Sequence, residues 1–184
     1  MPAGDAVDSV IAELRPLIDK GDLIIDAGNG NFHNTRERTK MLEADGYAFL
    51  GLGVSGGSEG ARHGPAIMAG GSPALWSRVE EPLKAISAKH NGEACCEWFG
   101  PDGAGHFVKT IHNGIEYADM QMIAEVYGIL RDGMGLSSTD IGDVFAAWND
   151  GPLQSYLIEI TAIVARATDA ATGGPLLDVI LDAA

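Results

Sequence analysis

The chain has 184 residues, 46% of them hydrophobic, which is enough for one good core or two small domains sharing a boundary and excludes a disordered chain. Its 12 Lys and Arg stand against 26 Asp and Glu, and the net charge of -14 repels a phosphate backbone and an anionic membrane surface alike. No nucleic acid and no membrane partner is therefore expected, and an anionic substrate would need a local basic cluster to draw it in against the global field.

Met1-Pro2-Ala3-Gly4-Asp5 has no basic stretch running into an apolar one, so no secretory signal is read and a cytoplasmic location is expected. Val7, Val10, Ile11, Leu14, Leu17 and Ile18 recur at helical spacing, and Gly21 stops the pattern before a short strand at Leu23-Ile24-Ile25. Asp26-Ala27-Gly28-Asn29-Gly30 closes that strand. Its Gly-x-Gly lacks the third glycine of the dinucleotide fingerprint and is rejected as a pyrophosphate loop. Asn34 to Ala44 predicts a second helix, ended by Gly46, and Tyr47 to Val54 a second strand leading into Ser55-Gly56-Gly57. Ser72 and Pro73 open a third helix, Ala74 to Lys89, before a strand from Ala94 to Phe99. Cys95 and Cys96 are adjacent, which rarely permits bridge geometry, and they read as reduced structural thiols. This alternation argues for a mostly parallel sheet covered by helices.

After Gly105 the strands stop. The pattern predicts a long helix to about Arg131, then helices at Thr139 to Trp148 and Leu153 to Thr168, and the start of a fourth at Pro175. Gly133 and Gly135, Gly151-Pro152, and Gly173-Gly174 separate them. The most apolar run, Tyr156 to Ala165, is interrupted by Glu159 and is too short to span a bilayer. An α/β segment followed by an all-α segment predicts two domains, 1–104 and 105–184, and domain boundaries are where small-molecule sites collect.

The long helix carries the sharpest chemical pattern. Lys109, His112, Asn113, Glu116 and Tyr117 fall within an arc of about 140° of the helical wheel, with Phe107, Ile111, Ile115, Ala118 and Met122 on the opposite side. Pattern alone leaves two readings open: a solvated polar face on an amphipathic helix, or an amine, carboxyl, imidazole, amide and phenol aimed at one bound polyol. A neutral amine can take a hydroxyl proton and a carboxylic acid can give one back, so Lys109 and Glu116 would divide the labour. Val54-Ser55-Gly56-Gly57, at the carboxyl end of a predicted strand, lies where ligands bind in open α/β sheets. His33, His63, His90, His106 and His112 show no metal-ligand spacing, and no metal is expected.

Taken together, Ile24-Ile25-Asp26-Ala27-Gly28-Asn29, Gly53 to Gly57 with Glu59 to Pro65, and Gly103 to Lys109 running into His112-Asn113-Gly114-Ile115-Glu116-Tyr117 resemble the decarboxylating 6-phosphogluconate dehydrogenases. The likeness extends through Phe145 to Asn149 and Leu157 to Thr161. It implies the C-terminal half of a Rossmann-like dinucleotide-binding domain followed by the start of that family's all-helical domain. It also implies NADP- or NAD-dependent oxidation of 6-phosphogluconate, loss of CO2 and release of ribulose 5-phosphate, within the pentose phosphate pathway, by a homodimer. Lys109 matches the family's general base and Glu116 its general acid. Ser55, Gly56, Gly57, His112, Asn113 and Tyr117 match substrate contacts, and Asn29 a position near the nicotinamide.

Measured against the family pattern, the chain is expected to be an internal piece. It opens after the Gly-rich phosphate loop and the ribose selector, which leaves NAD or NADP unread, and stops before the arginines that hold the substrate phosphate. The isolated piece is expected to be inactive. A related β-hydroxyacid dehydrogenase is the rival within the enzyme class, and a non-catalytic binding or dimerisation module is the rival outside it.

Overall fold

The computed structural model describes residues 2–181. The chain divides into two compact units, one reaching Gly114 and one beginning at Ile115.

In the first unit, helix α1 (Asp5–Leu14) and a 3-10 turn (Arg15–Leu17) lead into β1 (Leu23–Asp26). Helix α2 (Phe32–Ala44) starts where Asn31 Oδ1 accepts the His33 N–H at 2.9 Å, a cap worth ~1 kcal/mol. Then come β2 (Ala48–Ser55), the short α3 (Gly57–His63), β3 (Ala66–Gly70) and α4 (Pro73–Ile86), the last opened by a Ser72 cap and Pro73. A two-strand hairpin, β4 (Lys89–His90) and β5 (Glu93–Ala94), turns through Asn91 and Gly92, both at positive φ as a two-residue hairpin turn of this kind requires. Strand β6 (Cys96–Gly100) and the N-terminal part of α5 (Ala104–Gly128) complete the unit.

The main sheet has the order β1-β2-β3-β6. β1 pairs with β2, and β3 with β6, in parallel, but β2 and β3 are antiparallel. The sheet is thus mixed, for a reason visible in the chain: the connection 56–65 is shorter than the dozen or so residues a parallel crossover needs. Both α3 and β3 lie in a stretch for which the sequence pattern predicted no element. β2 is one of the two inner strands and splits the core by alternation. Phe49 packs with Val7, Ile11, Leu42 and Tyr47 under α1 and α2, while Leu52 packs with Ile67, Ala69, Trp76 and Cys96 under α4. Each fully buried side chain of this size contributes roughly 1.5–3 kcal/mol.

In the second unit, α5 continues from Ile115 and ends in a π turn (Ile129–Gly133). Helix α6 (Ser138–Asn149) opens on a reciprocal cap between Ser137 and Asp140, and α7 (Tyr156–Arg166) opens on Ser155. The predicted third helix thus starts three residues late, at the Ser155 cap. α6 and α7 approach closely at Gly142, where a Cβ would lie 2.6 Å from Arg166 Cγ, and Ser138 Oγ donates to the Ala165 carbonyl at 2.6 Å. Leu130, Ile141, Phe145 and Ala162 form the core of this unit. The predicted fourth helix is a single 3-10 turn, Leu176–Val179.

Candidate active site

The site is built on one close approach, that of α5 to the sheet. A Cβ at Gly53 would lie 2.5 Å from Lys109 Cβ and 2.7 Å from the Gly105 carbonyl oxygen. One at Gly105 would lie 2.4 Å from the Met68 carbonyl oxygen, and one at Gly70 would lie 2.3 Å from the Gly105 nitrogen. Only glycine at these positions lets the helix rest directly on the backbones of β2 and β3. Lys109, one turn beyond Gly105 on the same face, is thereby pressed against β2 and is only 7% exposed.

Its ammonium donates to Ser55 Oγ at 2.9 Å, at the carboxyl end of β2. An amine and a hydroxyl thus meet at the carboxyl end of a strand, where ligands bind in open α/β sheets. Ser55 is followed by Gly56 at φ 134° and Gly57 at φ 57°, both in the region that favours glycine, and a Cβ on Gly56 would lie 2.8 Å from the Gly60 α-carbon. His112 and Asn113, one turn further along α5, are half-buried, with His112 Nδ1 3.3 Å from Asn113 Oδ1. The structure therefore brings Ser55, Lys109, His112 and Asn113 onto one side of the first unit.

Exposure overturns the amphipathic expectation. Gly105, His106 and Lys109 are buried, whereas Phe107 is 45% and Ile111 50% exposed, so the polar stripe faces inward here and the apolar side faces out. In the second unit, Glu116 is half-buried and Tyr117 is 70% exposed. Asn29 is exposed in the turn after β1, where Asp26 Oδ1 accepts the Gly28 N–H at 3.0 Å. An open hollow of about 310 Å³ adjoins that turn, lined by Val7, Ile11, Ile25, Ala27 and Gly28 among others.

Sequence reasoning passed over His106 and Thr35, which meet in the interior with His106 Nδ1 2.7 Å from Thr35 Oγ1. The signal was present in Gly51 and Gly53, two glycines alternating within an apolar strand, since such glycines mark a close backbone approach. Gly51-Leu52-Gly53-Val54-Ser55-Gly56 also carries the spacing of a dinucleotide fingerprint. It cannot cradle a pyrophosphate, because a Cβ at Gly51 already meets Thr35 and His106 within 3 Å and Gly53 faces Lys109. Among the described residues no group of His, Cys, Asp and Glu is placed to hold a metal, and no helix is long and apolar enough to cross a membrane.

An α/β unit with glycine turns at its strand ends is followed along the chain by a helical unit entered on one long helix, the order of an NAD-binding domain and a C-terminal dehydrogenase domain. A solved 3-hydroxyisobutyrate dehydrogenase of Mycobacterium tuberculosis shares the fold, with a TM-score of 0.68 over 86% of this chain and 52% of that one, at 24% identity. More specifically, residues 1–100 match the NAD binding domain of 6-phosphogluconate dehydrogenase and residues 105–184 match its C-terminal domain. The chain belongs to the 6-phosphogluconate dehydrogenase family. It is 52% identical over 183 residues to the decarboxylating 6-phosphogluconate dehydrogenase of Cunninghamella elegans, spanning 99% of this chain and 38% of that protein. It is 53% identical over 182 residues to the NADP(+)-dependent, decarboxylating enzyme of Bacillus subtilis, of which it spans 39%. The Plasmodium falciparum 6-phosphogluconate dehydrogenase, solved in apo form and with NADP+ and 6-phosphogluconate, has a TM-score of 0.90 and 41% identity, covering 99% of this chain and 39% of that one. The chain thus spans about two-fifths of the length of the relatives it matches.

Proposed function

We propose that these residues supply the acid-base and sugar-acid part of an NADP- or NAD-dependent 6-phosphogluconate dehydrogenase. The observation that carries the reading is Lys109: a buried amine on a helix seated by glycines, with its Nζ 2.9 Å from Ser55 Oγ.

In this reading neutral Lys109 accepts the C3 hydroxyl proton of 6-phosphogluconate as the C3 hydride leaves, so that proton and hydride together turn C3 into a ketone. A nicotinamide held beside Asn29 would supply the hydride acceptor. The β-keto acid then loses its carboxylate as CO2, and Glu116 delivers a proton to C1 of the resulting enediol to give ribulose 5-phosphate, a step of the pentose phosphate pathway. Ser55, Gly56, Gly57, His112, Asn113 and Tyr117 hold the sugar acid. The residues present fit the nicotinamide end of the cofactor, with Asn29 exposed beside an apolar hollow, and they provide no pyrophosphate cradle. The functional boundary is placed at 104/105, where strands give way to α5. The working form is proposed to be a cytoplasmic homodimer that takes no metal and engages neither nucleic acid nor membrane.

The test is activity in a full-length form built around this segment. Reduction of NADP or NAD with 6-phosphogluconate, accompanied by equimolar CO2, is expected. Reduction with a simple β-hydroxyacid and not with 6-phosphogluconate would move the assignment to the β-hydroxyacid dehydrogenases.

A further inference from the structure

His106 takes no part in the chemistry above, yet it is among the most enclosed side chains of the first unit, at 1% exposure. It lies one turn before Lys109 on α5. Its Nδ1 is 2.7 Å from Thr35 Oγ1, and the Thr35 hydroxyl donates in turn to the Asn31 carbonyl at 3.1 Å. The Thr35 hydroxyl thus stands between the imidazole and the Asn31 carbonyl. The other side of the ring faces the turn after β1. A Cβ on Gly30 would lie 3.1 Å from His106 Cε1 and 3.4 Å from Asp26 Oδ2, so imidazole and carboxylate converge on the same glycine. Asp26 holds the turn from its other oxygen through the Gly28 N–H at 3.0 Å. Behind it stands Arg38, with Nη1 4.0 Å from Asp26 Oδ2.

This is a costly interior. Asp26 Oδ2 and Arg38 Nη1 are buried and meet only as an ion pair at 4.0 Å, and the His106 ring is buried with them, so imperfectly bonded polar groups here cost on the order of 1–3 kcal/mol against an apolar replacement. A leucine or phenylalanine at 106 would fill the space without that cost, so packing does not account for the choice. What the polar group does provide is direction. It ties the far end of the 26–31 turn, at the Asn31 carbonyl, through the Thr35 hydroxyl to the first turn of α5, while Asp26 holds the near end within the turn through the Gly28 N–H.

We propose that Asp26, Thr35 and His106 are positioning residues that fix the Asn29 turn against the helix carrying Lys109, and so set the distance between the nicotinamide and C3. The proposal rests on the reading of Asn29 and Lys109 given above. Because a misplacement of about 1 Å costs on the order of a hundredfold in rate, such a tie acts on hydride transfer and leaves substrate affinity alone.

The experiment uses the full-length form built around this segment, with Thr35→Val, His106→Leu and His106→Asn. The last keeps an N–H near the place of Nδ1. Amide hydrogen exchange over residues 27–31 and the isotope effect with 6-phosphogluconate deuterated at C3 are read together. For Thr35→Val and His106→Leu, exchange in the turn is expected to rise by about tenfold or more, a sign of local opening. In the same variants kcat falls roughly 10- to 100-fold, with KM for 6-phosphogluconate within about threefold and a larger isotope effect. His106→Asn restores most of both. If His106→Leu does not fold, the near-isosteric Thr35→Val decides. Exchange and kcat within about twofold of the parent in Thr35→Val would overturn the proposal, as would a His106→Asn no better than His106→Leu. A parent protein that never oxidises 6-phosphogluconate would instead overturn the functional reading, and the exchange comparison would still decide whether the turn is held.

Discussion

In the proposed reading Lys109 and Glu116 carry separable roles, and the separation can be measured. Lys109→Met keeps the bulk pressed against Gly53 and removes the proton acceptor, so in the full-length form oxidation is expected to fall by at least ~10²-fold with dinucleotide affinity nearly unchanged. Glu116→Gln keeps the hydrogen-bonding shape and removes the transferable proton. Oxidation and CO2 release should then survive better than isotope exchange at C1 of the product. Near-normal oxidation in Lys109→Met, or unchanged C1 exchange in Glu116→Gln, would reduce the stripe to substrate positioning. A second prediction at this scale concerns pH. Burial holds the His106 imidazole below its ordinary value of 6.5, only partly offset by the facing Asp26 carboxylate. As pH falls through 6.5 the unfolded chain takes up a proton that the folded one resists, so the stability tied to neutral His106 is fully present above 6.5 and is lost toward the lower folded value. Urea midpoints measured from pH 7.5 down to about 5.5 should therefore fall more steeply for the parent chain than for His106→Asn, which has no proton to take. Parallel curves would refute a buried neutral imidazole.

At the scale of elements, glycine placement decides whether α5 can reach the sheet. Gly53→Ala would force a methyl against Lys109 Cβ and the Gly105 carbonyl, with an expected loss of about 1–3 kcal/mol in urea unfolding. Gly114→Ala on the same helix meets nothing within 4 Å and should gain up to about 1 kcal/mol. Equal effects from the two substitutions would mean that the close approach is not what fixes the helix. These glycines also mark how far the sequence could be read. Periodicity located α1, α2, α4, α5, α6, α7 and the strands β1 and β2, because those elements bury a face and display its period. It missed β3, since Ala66-Ile67-Met68-Ala69-Gly70 is too short and evenly apolar to show alternation, and it missed α3 because glycines occupy its cap and first position. The antiparallel step from β2 to β3 followed from connection length, which periodicity does not weigh. In the site, the stripe put Lys109, His112 and Asn113 on one face of α5 but left open whether that face meets solvent or the protein, and exposure shows Lys109 buried with Phe107 and Ile111 turned outward. A helical wheel reports which residues share a face and is silent on which face a glycine-lined strand admits. His106 and Thr35 were invisible for a related reason: they are far apart in the chain and meet only because Gly51 leaves room for both.

For the molecule as a whole, the remaining question is what 184 residues at a net charge of -14 can hold unaided. A dinucleotide is bound chiefly at its pyrophosphate, by backbone N–H groups of a Gly-rich turn and the N-terminus of the helix that follows. The chain has two turns that approach this description. The Gly28-Asn29-Gly30 turn stands at the end of a parallel strand but continues with Asn31, Phe32 and His33, so the glycine needed for close helix–strand packing is missing. The run from Gly51 to Gly56 has the right spacing, yet its first two glycines are inside β2 under α5, and the helix after it has only seven residues. Neither turn therefore has the glycine arrangement of a pyrophosphate loop, and the acidic field works against any anion that approaches. The 184-residue chain by itself is therefore expected to bind NADP and NAD only weakly, while a full-length form built around it binds one of them well. Calorimetric titration of both proteins with both dinucleotides separates these outcomes. Micromolar affinity in the short chain would show that the nicotinamide side, Asn29 and the adjoining apolar hollow, supplies far more of the binding energy than a missing pyrophosphate cradle allows.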